Sequence, residues 1–309
     1  MNRKGGLKAV LAVLFVLLAL SLLFLYLFMP FNVIEFFSSS GNSNFSLNSS
    51  MPSEMQFYPN LRYSSSNISY DIDSALCTIK KQDDMTRALD IVQNITILNF
   101  HQADLEPNIL ITCDDKIVVE KDYFVAGEGG PVNITKSGDL NVISSGRILL
   151  LKESDCGSPN VAIHELFHAL GFNHSANRNN IMYPVTKCSE TIGEDIPELI
   201  NELYSVPSYS DMAFGETSAF IHGRYLDTNI TVLNNGLIKS GSFEMIISSV
   251  GKEIDKQAIG ALEVGTGITF TFRNIRLDDA NIKELEYELQ CGFNEISRDN
   301  NLLKLKIKN

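Results

Sequence analysis

The sequence predicts an α+β chain in three parts: one N-terminal transmembrane helix, a mixed helix-and-strand domain, and an all-β sandwich. Three observations predict it. Residues 9–31 are apolar except for Ser21. Residues 56–206 mix short apolar runs with helical periodicity. Residues 220–309 carry short β-like runs separated by polar turns. At 309 residues the chain has room for about two domains of ordinary size. Its 44% hydrophobic and 20% charged composition excludes disorder throughout. A net charge of −12 argues against nucleic-acid binding, which needs a basic face.

The run at 9–31 is long enough to cross ~30 Å of hydrocarbon. A cleaved signal peptide is the competing reading, but its apolar region would be shorter, about 7–15 residues, with an Ala-x-Ala-like site after it. Arg3, Lys4 and Lys8 lie in the basic tail 1–8, which the positive-inside rule keeps cytoplasmic. The expectation is a single-pass membrane protein with its body outside the cell. Seven Asn-x-Ser/Thr sequons, at Asn44, Asn48, Asn67, Asn94, Asn133, Asn173 and Asn229, suit that side if the cell glycosylates exported proteins. Residues 32–55 are polar and low in complexity over most of their length, and read as a stalk.

Within 56–206, Asp83 or Asp84 could cap a helix through Met85, Leu89, Val92 and Ile95. Segments 108–113, 116–119 and 146–152 read as strands. The Gly-rich stretch 126–131 lacks phosphate-loop spacing and reads as a turn. Residues 207–219 read as a linker. The sandwich at 220–309 follows from runs such as NITVL, FEMIISSV and ELEYELQ, with turns at 234–236, 240–242, 265–267 and 298–301. His222 stands alone there and reads as a surface or packing residue.

Chemistry concentrates in residues 164–174, His-Glu-Leu-Phe-His-Ala-Leu-Gly-Phe-Asn-His. On a helix, positions four apart share a face, so His164 and His168 can point at one ion. Glu165 lies about 100° round the helix, beside such an ion, where a general base acts. Gly171 can take positive φ, end the helix, and let the chain turn back so that His174 reaches the same ion. Three neutral imidazoles with a fourth position open fit a catalytic Zn2+ site. An ordinary amphipathic helix with incidental histidines is the competing reading, and this spacing weighs against it.

The string H-E-x-x-H-x-x-G-x-x-H, followed by Met182 in the turn Asn180-Ile181-Met182-Tyr183-Pro184, resembles the metzincin clan of zinc endopeptidases, most closely its matrixin branch. The resemblance spans about 56–206 and is specific over 164–184. It implies a twisted, mostly parallel sheet with helices, and peptide or protein substrates. It implies His164, His168 and His174 as zinc ligands and Glu165 as base and later proton donor. It also implies Met182 as an apolar floor, an extended substrate on an edge strand placed at 138–151, and a last helix over 191–204. Tyr183 directly follows Met182, so it is not taken as a ligand. No Pro-Arg-Cys-Gly-type segment precedes the catalytic region, so any latency needs another source. Cys156–Cys188 would staple the zinc segment and Cys77–Cys113 is the natural second pair, although spacing leaves other pairings open and Cys291 is left over.

The stretches NNGLIKSGSFEMII, TFTFRNIRL and FNEISRDNNLLKL are similar to the adhesion-related CARDB module. That resemblance implies an immunoglobulin-like sandwich with a possible cell-surface or protein contact. Two competing functions stay open on the sequence alone: a non-enzymatic adhesion scaffold stiffened by zinc, and a zinc hydrolase acting on something other than peptides.

Overall fold

The computed structural model of the protein describes residues 13–21, 33–38, 55–116, 118–120, 123–153, 156–279 and 282–307. The basic tail 1–8, most of the apolar run 9–31 and most of the stalk 32–55 lie outside them. Residues 13–21 are helical (α1). Among the described residues no helix is long and apolar enough to cross a membrane.

The first folded region is a six-stranded sheet packed against helices. Strands β2 (Leu61–Tyr63), β3 (Asn67–Ile72), β4 (Asn99–Gln102), β5 (Ile109–Cys113) and β9 (Leu140–Leu150) are parallel, in the order β2-β9-β5-β3-β4. Parallel neighbours need a crossover, and helix α2 (Ile79–Ile95) supplies it between β3 and β4. The sixth strand, β8 (Gly127–Ser137), runs antiparallel to β9 along its whole length. A two-stranded hairpin of β6 (Val118–Glu120) and β7 (Tyr123–Val125) precedes it. This is an α/β arrangement with a mostly parallel sheet, as the resemblance implies.

Several local expectations change here. The Gly-rich stretch 126–131 is strand, not turn. The expected edge strand at 138–151 is interior, because β9 carries β8 on one side and β2 and β5 on the other. Among the described residues, β8 pairs with β9 alone and leaves its outer edge free. The cap of α2 is Thr78, whose hydroxyl accepts from Lys81 N at 3.3 Å, while Asp83 and Asp84 lie inside the helix. A Thr at the first non-helical position satisfies an orphan N–H that an acid further into the helix cannot reach.

Helices α3 (Asn160–Ala169) and α4 (Asp195–Ser205) complete this region. Every residue of α3 is buried, so it runs through the core rather than along the surface. Helix α4 buries Ile196, Leu199, Ile200, Leu203 and Tyr204 at helical spacing. One core joins Leu61, Ile68, Met85, Ile111, Ile148, Phe167 and Ile200.

The C-terminal region is an eight-stranded, wholly antiparallel sheet ordered β13-β12-β15-β16-β1-β10-β11-β14. Its strands are β1 (Val33–Ser38), β10 (Met212–His222), β11 (Tyr225–Asn234), β12 (Phe243–Ser249), β13 (Lys252–Ile259), β14 (Gly267–Arg276), β15 (Glu284–Gln290) and β16 (Leu302–Ile307). Strands β11 and β15 are four places apart, about 19 Å in a flat sheet. Yet Thr228 Oγ1 and Tyr287 Oη are 2.9 Å apart. The sheet therefore folds back on itself around its own core, compatible with a sandwich, with alternation as clear as the in-out pattern of β12. Strand β1 falls within the stretch read as stalk, and β10 starts within the one read as linker. A register shift between Phe214 and Thr217 interrupts the alternation that would have marked β10.

Candidate metal centre

Helix α3 presents His164 and His168 on one face, and its end delivers His174. The chain leaves α3 at Leu170, and Gly171 has φ +100°. Gly171 N–H donates to His168 O at 2.9 Å and Phe172 N–H to Phe167 O at 3.0 Å. That pair of bonds is a Schellman ending, which satisfies the last carbonyls and reverses the chain. A side chain at 171 would also press on Leu61, at 2.7 Å. Tyr63, buried in β2, donates its hydroxyl to Ala169 O at 3.1 Å and holds the same helix end.

Nε2 of His168 lies 3.0 Å from Nε2 of His164 and 3.1 Å from Nε2 of His174, and the ligand atoms of all three fit within 4.8 Å. The other ring nitrogens fix the tautomers. His164 Nδ1 donates to Ile181 O at 2.7 Å, and His168 Nδ1 donates to Phe172 O at 2.8 Å. A carbonyl only accepts, so each Nδ1 carries the proton and each Nε2 turns a lone pair inward. Burial, followed by the neighbouring His164, holds His168 down at about 4. Burial also lowers His164 and His174. Neutral imidazoles crowding lone pairs together, two of them with an outer hydrogen-bond partner, are the donor set zinc takes. Phe57 stacks on His168 with ring centroids 5.8 Å apart.

Glu165, buried at 5% exposure, sits next to the trio. Burial pushes its carboxyl up to about 8, and nearby Glu128 adds to the rise. Strand β8 passes directly over it. A Cβ on Gly127 would come 2.7 Å from Glu165 Cγ, and one on Gly129 would collide with the Glu165 carbonyl oxygen. The turn-like composition of these glycines conceals their use, which is close approach of strand to helix. An alternation count cannot find it, because glycine has no side chain to alternate.

Met182 is buried in a turn in which Asn180 Oδ1 accepts from Met182 N at 2.8 Å. Met182 O in turn accepts from Ser175 N at 2.8 Å, next to His174. Tyr183 is outside the ligand set, and so are His101 and His222; His222 Nε2 lies 3.2 Å from Asp227. A cleft of about 1000 Å³ opens at the centre, lined by Gly127, Val161, Glu165, Val185 and Lys187.

The disulfides join Cys77 to Cys113 and Cys156 to Cys188, with Cys291 free. Cys156–Cys188 ties the cleft wall to the start of α3 across 32 residues. Its reduction should lower stability by roughly 3–4 kcal/mol, or about 10 °C in melting temperature. Thermal melts with and without reductant, read beside a Cys156→Ala/Cys188→Ala variant, check this. Arg62, 1% exposed, is a residue sequence reasoning missed. It lies over the Tyr204 ring at 4.2 Å and donates to the carbonyls of Leu203 and Val206, the end of α4. Only tertiary structure brings those carbonyls to a strand arginine.

Residues 60–205 match the family model of the matrixins. No curated protein matches the chain.

Proposed function

We propose that residues 60–205, which match the matrixin family model, form a metallopeptidase domain, and that the chain is a zinc-dependent endopeptidase, membrane-anchored and facing outward. The carrying observation is the convergence of three inward-facing Nε2 atoms beside one buried carboxylate.

Nε2 of His164, His168 and His174 would hold the zinc. When bound, zinc supplies a Lewis acid that polarises the scissile carbonyl and acidifies water. Glu165 takes the proton of the attacking water and passes it to the leaving amine. Its raised value keeps the carboxyl largely protonated in the metal-free protein at neutral pH. Positive charge at the imidazole trio returns it to the ionised form a base needs. The free edge of β8 offers backbone groups to an extended peptide, an arrangement that gives affinity with little sequence preference. The valines of the cleft, Val118, Val125, Val161 and Val185, favour an apolar side chain beside the scissile bond.

Anchoring rests on the composition of 9–31. Strand β1 starts two residues after that run, so an anchored chain would hold its C-terminal sheet next to the bilayer.

A chelator should abolish casein cleavage and added zinc restore it; cleavage that survives complete metal removal would exclude the reading. Acid should act on the same ligands. Folding lowers the His168 value from 6.5 to about 4, so its stabilisation is present above 6.5 and lost as pH falls towards 4. Zinc content and melting temperature should fall together on acidification, with bound zinc shifting the loss to lower pH. Metal analysis and melts from pH 7 to 4 check this.

A further inference from the structure

The far end of strand β8 does not finish in solvent. Its turn into β9 is seated in two loops of the C-terminal region. Ser137 is fully buried, and its hydroxyl reaches Gly236 O at 2.6 Å and Asn234 O at 3.3 Å. Gly138, at φ +55°, is close to Asn235; a Cβ there would come 3.0 Å from Asn235 Cβ. Gly265, at φ +67°, lies so near that a Cβ on it would collide with Lys136 O. Next to these contacts Leu140 and Val142 of β9 form a small buried cluster with Val206 and Leu237.

The receiving loops are themselves held. Asn234 is fully buried; its Nδ2 donates to Ile238 O at 2.9 Å and Leu262 O at 3.0 Å. Its Oδ1 accepts from Asp211 N at 3.2 Å and Gly236 N at 3.0 Å. One asparagine therefore ties together the two loops that grip the turn and the start of β10.

We infer that the C-terminal region is a clamp on strand β8, and so a positioning part of the peptidase site. The inference rests on the proposed endopeptidase reading. The opposite end of the same strand carries Gly127 and Gly129 against Glu165, and its outer edge is the one left for substrate. An edge strand paired on one side only is free to twist or fray. Seating its turn removes that freedom at one end, while α3 limits it at the other. Ser137 and Gly265 are the positioning residues.

The test uses the full chain with Gly265→Ala, and Ser137→Asp as a second variant that buries a charge in the contact. Amide hydrogen exchange should rise across Gly127–Ser137 and stay at the wild-type level in β3 and β5. For an extended peptide of about eight residues, kcat/KM should fall roughly tenfold, mainly through KM. Zinc content and inhibition by acetohydroxamate, which needs the metal but no edge strand, should not change. Wild-type exchange and wild-type kcat/KM in both variants would overturn the clamp. Equal loosening of β3, β5 and β8 would overturn it too, since the contact would then serve folding alone. A wild-type chain without peptidase activity, whose β8 still loosens selectively in the variants, would remove the endopeptidase reading and uphold the clamp.

Discussion

Replacing Glu165 with Gln should lower peptide cleavage by about 10²–10⁴-fold while zinc content stays at the wild-type level. The ligand nitrogens' outer partners are the carbonyls of Ile181 and Phe172, not the Glu165 carboxyl. The ligand set therefore survives the change, and a proton acceptor alone is lost. Gln has nearly the same shape, so the strand above it keeps its seat. A second consequence separates this role from a packing role. Folding raises the Glu165 value from 4.5 to about 8. Its stabilising contribution is complete below 4.5 and is lost as pH rises towards 8, because the folded state must then bury a charge. Metal-free Glu165→Gln should escape that loss and be more stable than the metal-free wild type at pH 9, by up to about 5 kcal/mol, and so melt higher. Steady-state kinetics, metal analysis and melts of the two proteins at pH 5 and 9 decide it. Cleavage at the wild-type rate would remove Glu165 from the mechanism.

Gly129→Ala should be nearly as damaging by a different route. The added methyl collides with the carbonyl oxygen of Glu165, which is backbone and cannot swing aside. Either β8 lifts or α3 shifts. Overpacking of this kind costs about 1–3 kcal/mol, and a displacement near 1 Å at a catalytic group costs about 10²-fold in rate. Gly127→Ala separates the two effects. Its methyl meets the Glu165 side chain at Cγ, 2.7 Å away, and Oε1, 2.9 Å away. It should spare stability and zinc content and lower kcat. Wild-type kcat in Gly127→Ala would show that the strand does not set the carboxyl position.

These glycines mark where sequence reasoning stops. The metal centre is legible because its parts are local: two histidines one turn apart, a glycine to reverse the chain, and a third histidine just beyond. Helical periodicity carries all of that without knowledge of the rest of the fold. The strand over the centre is not legible, since Gly-Glu-Gly-Gly carries the composition of a turn and becomes strand only by pairing with β9. The substrate edge is misplaced at 138–151 for a related reason. That stretch has the apolar character of a strand, but burial of its faces gives it that character whether or not an edge is free. In the C-terminal region the strands with clean alternation are readable. Strand β13, Lys-Glu-Ile-Asp-Lys-Gln-Ala-Ile, is not, because its charges hide the period. Thr78 is obscured as a cap because acidic residues nearby offer the same signal five positions later.

Arg62 has a consequence for how the chain is made. Its acceptor at Leu203 lies 141 residues further on. A ribosome adding about 5–20 residues per second needs roughly 7–30 s to reach it. For that interval the guanidinium has only water and its neighbouring carbonyls, Tyr63 O and Ser64 O, to bind, and the first strand of the parallel sheet lacks its lock to the last helix. The nascent domain must wait for its final helix, so its earliest-made strand is among the last pieces to settle.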